Sequence, residues 1–284
     1  MMLTIALAIG AAVTLAVVTS GFLHFNYRRG MSEADTAWQG LIDRTPAPMR
    51  TFDPRSIETM PEIARRYFGH AIAPGTLLSR LAEIEMSGTF SLGTKAQPMP
   101  YAMTARQLIA APHAFVWIAS MHSGPAWIAG SDALIDDVGW TRFWLGGLLQ
   151  VANDGFSEDF LRSAVARPAL EAIWAPASLL PERGVRWTAA GLDAADVVIP
   201  TTHGEVTINL VLEKSGKVKQ VSTLRWTNAN SQKVFAYQPF GGTVEAETTF
   251  GGYTVPSAVS IGNMFGTGDY FPFFEAQISA IKYR

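Results

Sequence analysis

The sequence predicts a mainly β domain (α+β class) preceded by one transmembrane helix. Three observations predict this architecture: a long uncharged apolar run opens the chain, a two-residue hydrophobic period dominates from about residue 81 onward, and turn residues separate the apolar segments at short intervals. We expect about ten or eleven strands, with short connections and no βαβ rhythm. Such a pattern favours a large antiparallel meander that curls into a half-barrel.

Residues 1–27 differ from the rest of the chain because they contain no Asp, Glu, Lys or Arg. At about 1.5 Å per residue, the run from Met1 to Phe25 spans the roughly 30 Å hydrocarbon core of a bilayer. A cleavable signal peptide is the main alternative, but the run has no initial Lys or Arg, and no small-x-small cleavage site stands out before Phe22. We predict an uncleaved single-pass anchor that contacts the membrane through residues 1–25.

Two features bear on the compartment. Arg28 and Arg29 directly follow the span, and the positive-inside rule taken literally would leave the main domain in the cytoplasm. The chain has no cysteine, which excludes disulfides and an acylated cysteine and fits any compartment. Both sides of the membrane remain open on these residues alone.

The remaining chain divides into two parts. Residues 28–58 form a polar segment with three prolines, which predicts a linker with one short helix. Residues 59–284 have the size of a single β-rich domain. Their basic residues never form a run longer than a pair, and the net charge of the chain is −2, so we expect no nucleic-acid partner.

Two helical regions interrupt the β pattern. An amphipathic helix is predicted from Pro61 to His70, with Pro61 in the first turn, where its missing N–H is not needed. A helical interlude is predicted near residues 157–174, with Ser157 as N-cap and acidic residues in its first turn. The interlude divides the strands into an earlier and a later set.

Catalytic and metal-binding motifs are absent from the sequence. His113, His122 and His203 are isolated, and with no cysteine there is no local pattern of metal ligands. The chain contains no G-x-S-x-G elbow, no phosphate-binding loop and no dinucleotide fingerprint. We therefore predict no catalytic residues, no metal and no cofactor.

The most concentrated polar set lies on the predicted interlude. Its members are Asp159, Arg162, Ser163, Arg167 and Glu171. One interpretation is a polar cluster at the mouth of a cavity. The other is a salt-bridged helix face, in which each exposed pair contributes a few tenths of a kcal/mol.

Aromatic residues supply the second set of candidates. The predicted ligand-binding residues are Phe115, Trp117, Trp140, Trp144, Trp174 and Trp226. In a regular strand Trp140 and Trp144 face away from Phe143, so this ribbon is apolar on both faces. A second apolar face indicates a lipid-like ligand, a covering helix or a membrane surface.

Several sequence blocks carry a family resemblance. The first is Pro61-x-x-x-Arg65-Arg66-Tyr67-Phe68-x-His70-Ala71-Ile72-x-Pro74-Gly75, and later blocks include Pro239-Phe240-Gly241-Gly242, Gly251-Gly252-Tyr253, Phe265-Gly266-Thr267 and Tyr283-Arg284. Together they resemble an uncharacterised bacterial membrane-anchored family over residues 60–284. The resemblance brings no established activity and therefore no catalytic residues.

The order of elements is distantly similar to the lipoprotein-carrier and lipoprotein-sorting superfamily. The similarity implies a curled antiparallel sheet around helices, a cavity for acyl chains and a location outside the cytoplasmic membrane, and we favour the extracytoplasmic face for this reason. The first hypothesis is a non-catalytic, membrane-tethered domain that binds a lipid-like or other apolar ligand. The alternatives are an envelope protein-interaction domain and a hydrolase that uses the polar cluster of the interlude.

Overall fold

The computed structural model describes residues 2–155, 157–230 and 232–284, and one antiparallel sheet of 13 strands dominates them. The strands are β1 (Ala82–Thr94), β2 (Gln97–Ala110), β3 (Ala114–Ser123), β4 (Ala126–Ile135), β5 (Val138–Leu145), β6 (Leu149–Asp154), β7 (Arg186–Ala189), β8 (Ala194–Thr201), β9 (Gly204–Leu212), β10 (Val218–Thr227), β11 (Ala236–Phe250), β12 (Tyr253–Asn263) and β13 (Phe271–Tyr283). The predicted antiparallel β class is confirmed, with more strands than the ten or eleven expected.

The helical segments flank this sheet. They are α1 (Met2–Arg44), α2 (Glu62–Ala71), α3 (Glu158–Ala164) and α4 (Ala166–Leu170), with 3₁₀ turns at Pro54–Ile57, Glu171–Trp174, Pro176–Leu179 and Pro181–Arg183. The predicted N-cap is present, since the Ser157 side chain accepts a hydrogen bond from the Phe160 amide at 3.0 Å. Helix α2 buries Ile63, Tyr67 and Phe68, the face that the sequence predicts.

The strand order shows how the two halves of the chain join. Neighbouring strands are consecutive in sequence except at one place, where β1 pairs with β13, so the order runs from β6 to β1 and then from β13 to β7. Residue pairs such as Ala82 with Tyr283 connect segments that are distant in sequence. The interlude, Glu158 to Arg183, contacts β5 on one side of this junction and β9, β10 and β12 on the other. The sheet therefore curls around the interlude, as a half-barrel does.

One strand differs from the sequence pattern. Residues 233–237 and 243–250 are typical of two strands separated by Pro239 and two glycines, but β11 runs unbroken through this region. A Cβ on Gly242 would collide with the Ser260 carbonyl oxygen of β12, so only glycine permits this close pairing. The next glycine pair does form a turn, because Gly251 and Gly252 have φ of +56° and +89° between β11 and β12.

The secondary structure of residues 28–44 also differs from the expected linker. Helix α1 continues without interruption from the apolar run to Arg44 and ends just before Pro46. No proline occurs between Met2 and Arg44, and the residue before a proline disfavours helix, which explains both the continuity and the end. Met1, at the start of the predicted span, lies outside the described residues.

The second half of α1 packs on the outer face of the sheet. Ala34, Trp38 and Leu41 occur at helical spacing and are buried. They pack against outward-facing residues of β2, β3 and β4, namely Leu108, Val116, Ile118 and Ala133. This second apolar core is separate from the main core on the concave side.

The first half of α1 is long and apolar enough to cross a membrane. An 18-residue window within Ile9–Arg44 has a mean hydropathy of 1.4, and none of it is buried against the protein. A signal sequence passes the same test, so the division into an anchor of residues 1–27 and a domain of residues 59–284 remains a prediction.

Replacing Trp38 tests whether α1 stabilises the sheet. We expect Trp38→Ala to lower the free energy of unfolding by about 3 kcal/mol, because it removes a buried indole between helix and sheet. Chemical denaturation of the detergent-solubilised chain, followed by circular dichroism, measures the change. Gln39→Ala, at the neighbouring exposed position, is the control. Equal effects of the two changes would show that the outer core contributes little.

Candidate functional site

A cavity of about 630 Å³ lies between the concave face of the sheet and the interlude. Strands β1 to β6 line one side, β10 to β13 line the other, and residues of α4 and the following turn cover it. Cavities of roughly 300–1,000 Å³ with mostly apolar walls are typical of small-molecule sites. The cavity is therefore the main candidate site among the described residues.

Aromatic rings make up much of the cavity wall. Phe90 lies at the centre of one group, with ring centroids 5.9 Å from Trp117 and 5.5 Å from Phe273. Phe273 in turn lies 6.2 Å from Phe240, and Trp117 lies 5.9 Å from Phe143. These rings come from β1, β3, β5, β11 and β13, so the wall exists only once both halves of the sheet are paired. It offers an apolar ligand a large contact surface.

One part of the lining is charged. Arg167 of α4 donates from Nη1 to Asp132 at 2.5 Å and from Nε to Glu171 at 2.8 Å. The Thr141 hydroxyl donates to the other oxygen of Asp132, and the Gln107 amide donates to the other oxygen of Glu171. Both carboxylates thus have two donors each, which is the arrangement that buried charges require.

Burial changes the acidity of this group. It raises the pKa of the Glu171 carboxyl above the ordinary value of 4.5, and Arg167 and Gln107 offset the rise only in part. A carboxyl with a higher pKa in the folded state binds its proton more tightly there. The folded state therefore loses stability as the pH rises from about 4.5 through the folded-state pKa.

A second arginine reaches the cavity from β10. Arg225 donates from Nε to the Ser163 hydroxyl at 3.1 Å and to its carbonyl oxygen at 3.3 Å. The guanidinium carbon of Arg225 lies 4.9 Å from the centre of the Phe240 ring. Burial lowers the pKa of Arg225, and Arg167 lowers it further, against the opposing effects of Asp132 and Glu171.

The hairpin of β5 and β6 joins the cavity to helix α1. Tyr27 packs edge-on against Trp127 and Trp144, with ring centroids 5.9 and 5.7 Å apart. His24 Nδ1 lies 3.3 Å from the Gly147 carbonyl oxygen at the tip of the hairpin. The hairpin tip is therefore held beside the end of the apolar run.

The same hairpin carries exposed apolar side chains. Leu145, Leu148, Leu149 and Val151 are all exposed. Leu145 and Val151 also line the cavity, together with Ala152. One rim of the cavity is thus apolar and lies next to the apolar half of α1.

The predicted aromatic residues divide between two faces. Trp117 and Trp174 line the cavity, and Phe115 is buried below the Arg167 guanidinium, 4.4 Å away. Trp140 and Trp144 do not line it, because they face outward and are covered by α1. The two apolar faces of this ribbon therefore have separate covers, the cavity and interlude inside and α1 outside.

The predicted polar cluster also divides. Arg167 and Glu171 line the cavity, and Ser163 binds Arg225. Asp159 and Arg162 face elsewhere: Asp159 accepts a hydrogen bond from Trp226 Nε1 at 2.6 Å, and Arg162 lies 4.3 Å above the same indole. Trp226, predicted as ligand-binding, is thus held by the interlude outside the cavity. The five residues thus lie on three successive helical segments and do not share one face.

A histidine reaches a second, more open depression. His203 and Arg162 line this depression of about 560 Å³, while Asp159 is not part of its lining. The His203 ring instead lies 3.1 Å from Asp137. None of the five histidines lines the large cavity, and the described residues contain no cluster of three or more potential metal ligands.

Sequence reasoning missed four lining residues that matter. Asp132 and Arg225 belong to the charged part of the lining, and Phe273 and Phe274 come from the last strand. A signal for Asp132 exists, because it is an isolated acid within the apolar strand β4. The contribution of β13 depends on its pairing with β1, which no local pattern indicates.

Fold and cavity together define a class: an antiparallel half-barrel whose helical interlude encloses an apolar site. The chain belongs to a family of unknown function, DUF6544, whose sequence profile matches residues 50–276. The resemblance to an uncharacterised family is thereby confirmed. The comparison with curated proteins gave no match.

Three solved structures are similar to the chain. A Vibrio parahaemolyticus domain assigned to outer membrane lipoprotein sorting is 11 % identical (TM-score 0.37, covering 72 % of this chain and 85 % of that one). A LolA superfamily protein from Nitrosomonas europaea is 7 % identical, with a TM-score of 0.35, and the match covers 78 % of this chain and 92 % of that one. A DUF1329 family protein from Desulfovibrio piger is 9 % identical, with a TM-score of 0.32, and the match covers 72 % of this chain and 86 % of that one. The first two belong by name to the superfamily to which a distant similarity was predicted, and the likeness concerns the fold alone.

Removing Arg167 tests the buried charges. We expect Arg167→Met to lower the free energy of unfolding by about 2–4 kcal/mol at pH 7.5, because the buried Glu171 and the half-buried Asp132 lose their main cationic partner. The loss is expected to be smaller at pH 5, because removal of Arg167 raises the pKa of the Glu171 carboxyl further and the folded variant then binds a proton more readily than the unfolded chain. Urea denaturation at both pH values measures it.

Arg186→Met is the matched control, because Arg186 forms an exposed pair with Glu205. Its effect is expected to stay below about 1 kcal/mol and to change little with pH. A pH-independent effect of Arg167→Met would contradict the role assigned to the two carboxyls.

Proposed function

We propose that this protein is a membrane-tethered, non-catalytic domain that binds a lipid-like or other apolar ligand in the cavity. The observation that carries the proposal is the 630 Å³ aromatic cavity between sheet and interlude. A fully packed core would leave no such space, since protein interiors are normally close-packed. The cavity's mostly apolar lining favours acyl chains over polar substrates.

The position of the rim supports the tether as part of this function. The exposed apolar residues Leu145 and Val151 line the cavity, and their hairpin contacts Tyr27 of α1. An apolar ligand that leaves a bilayer next to the helix would meet an apolar surface throughout its path into the cavity. Direct transfer of this kind avoids exposing the ligand to water.

The aromatic ribbon gives less support to the alternative of an envelope interaction domain. Trp144 of β5 is buried, and Trp140 packs against the outer core under α1. The ribbon is therefore not free to bind a partner in this arrangement.

Filling the cavity tests the proposed function. We expect the full chain, purified from membranes and extracted with organic solvent, to yield a stoichiometric apolar compound by mass spectrometry. Ala152→Trp would place an indole in the lining and is expected to reduce this yield at least severalfold, since the ligand and the indole compete for one space.

Gln150→Trp on the same strand is the control, because Gln150 is exposed and pairs with the outward-facing Trp144. An empty extract from well-folded wild-type protein would count against the proposal. Equal yields from the two tryptophan variants would place the compound outside the cavity.

The proposal includes a location in the cytoplasmic membrane, with the domain on the extracytoplasmic face. Because the chain has no cysteine, a single introduced cysteine can be labelled selectively. Leu192 is a suitable position, since it is 94 % exposed in the turn between β7 and β8. We expect Leu192→Cys to react with a membrane-impermeant maleimide in intact cells. Labelling only after the cytoplasmic membrane is permeabilised would place the domain in the cytoplasm.

A further inference from the structure

Two arginines lie in the charged part of the cavity lining, and their partners differ. Arg167 is held by the carboxylates of Asp132 and Glu171. Arg225 has no carboxylate within salt-bridge distance among the described residues, and its hydrogen bonds there are the two from Nε to Ser163. The two terminal nitrogens of Arg225 therefore have no hydrogen-bond acceptor in the described part of the chain.

The neighbouring acids bind donors other than Arg225. Asp132 accepts from Thr141 and Arg167, and Glu171 accepts from Gln107 and Arg167. These bonds hold the two carboxylates toward Arg167, and neither lies within salt-bridge distance of Arg225. Arg225 is thus a half-buried cation at the cavity wall whose terminal N–H groups have no acceptor in the described part of the chain.

A second donor in the lining is also unused. The ring of Trp117 lines the cavity, and its buried indole N–H has no hydrogen-bond acceptor among the described residues. The buried indoles of Trp174 and Trp187 do have acceptors, the carbonyl oxygens of Pro256 and Leu179. Buried donors without acceptors are uncommon in folded proteins, and a missing ligand is one cause of them.

We infer that Arg225 binds the anionic head group of the apolar ligand, which makes that ligand a single-chain amphiphile of the fatty carboxylate class. The inference rests on the proposed function, because the acyl chain would occupy the aromatic part of the cavity. A carboxylate has two oxygens that match the paired N–H groups of a guanidinium. A bound carboxylate would give Arg225 the direct ion pair that it lacks among the described residues.

Carbon-13 NMR of the full chain in phosphatidylcholine nanodiscs tests this assignment, with carboxyl-labelled palmitate and carboxyl-labelled methyl palmitate as probes. We expect wild-type protein to bind palmitate with a signal separate from that of palmitate in the bilayer, and to bind the neutral ester more weakly. Arg225→Gln is expected to weaken palmitate binding about tenfold or more, since a charge-assisted pair is lost, while ester binding changes by less than about twofold.

Two further variants complete the design. Arg225→Lys, which keeps the charge, is expected to retain a large part of the preference for palmitate over the ester. Arg186→Gln removes an arginine from an exposed pair with Glu205 outside the cavity lining and is expected to change neither ligand. Lysophosphatidic acid serves as a competitor that distinguishes a phosphate head group from a carboxylate.

Several results would overturn the inference. These are equal wild-type affinity for palmitate and its ester, an equal loss of both ligands in Arg225→Gln, or palmitate binding that Arg225→Gln leaves intact. Displacement by lysophosphatidic acid far below the palmitate concentration would replace the carboxylate with a phosphate. Absence of any protein-bound signal for both probes would instead refute the proposed function itself.

Discussion

The structure depends on one constraint: a curled sheet with two apolar faces must be covered on both. The outer face of β2, β3 and β4 is covered by the second half of α1, through Ala34, Trp38 and Leu41. The concave face is covered by the interlude, whose residues from Ala169 to Leu180 are almost all buried. The outer cover is a close-packed helix. The inner cover is short and irregular, and the space it leaves is the cavity.

The charged group in the lining follows from the same geometry. Arg167 extends from α4 to Asp132 of β4, so an ion pair as well as apolar packing joins the interlude to the first half of the sheet. Arg225 extends from β10 to Ser163 of α3 and joins the interlude to the second half. The two arginines thus connect one helical segment to both halves of the sheet, although only Arg167 has acidic partners. If both arginines had only a structural role, we would expect Arg225 to have an acidic partner, as Arg167 does.

The sequence predicted much of the fold because the governing signals were local. The two-residue period, the Ser157 cap and the Pro61 start each depend on neighbouring residues, and each is present in the structure. The junction of β1 and β13 is set by tertiary pairing, which local patterns do not encode. The continuation of α1 had a local signal in the spacing of Ala34, Trp38 and Leu41, but the polar composition of residues 31–44 concealed it.

The candidate site was predictable only in part, because residue type alone does not show which side chains face the cavity. Trp117, Trp174, Arg167 and Glu171 were identified by residue type, and they line the cavity. Trp140 and Trp144 have the same residue type but face α1, because alternate residues of a strand point to opposite faces and the sequence does not say which face is concave. Arg225 drew no attention because a lone arginine in a strand is ordinary. Its importance comes from its place in the cavity lining and from the absence of an acidic partner among the described residues.

Under the proposed function, the unbroken helix α1 would fix the position of the domain relative to the membrane. A flexible linker after the membrane span would let the domain turn freely, and the cavity rim would face the bilayer only part of the time. An unbroken helix that packs on the sheet through Trp38 and contacts the β5–β6 hairpin through Tyr27 holds the rim at a fixed distance from the apolar run. The anchor would then set the depth and orientation of the cavity as well as its location. The buried face of residues 34–41 has a role in ligand exchange on this view, because without it the apolar rim would lose its alignment with the membrane surface.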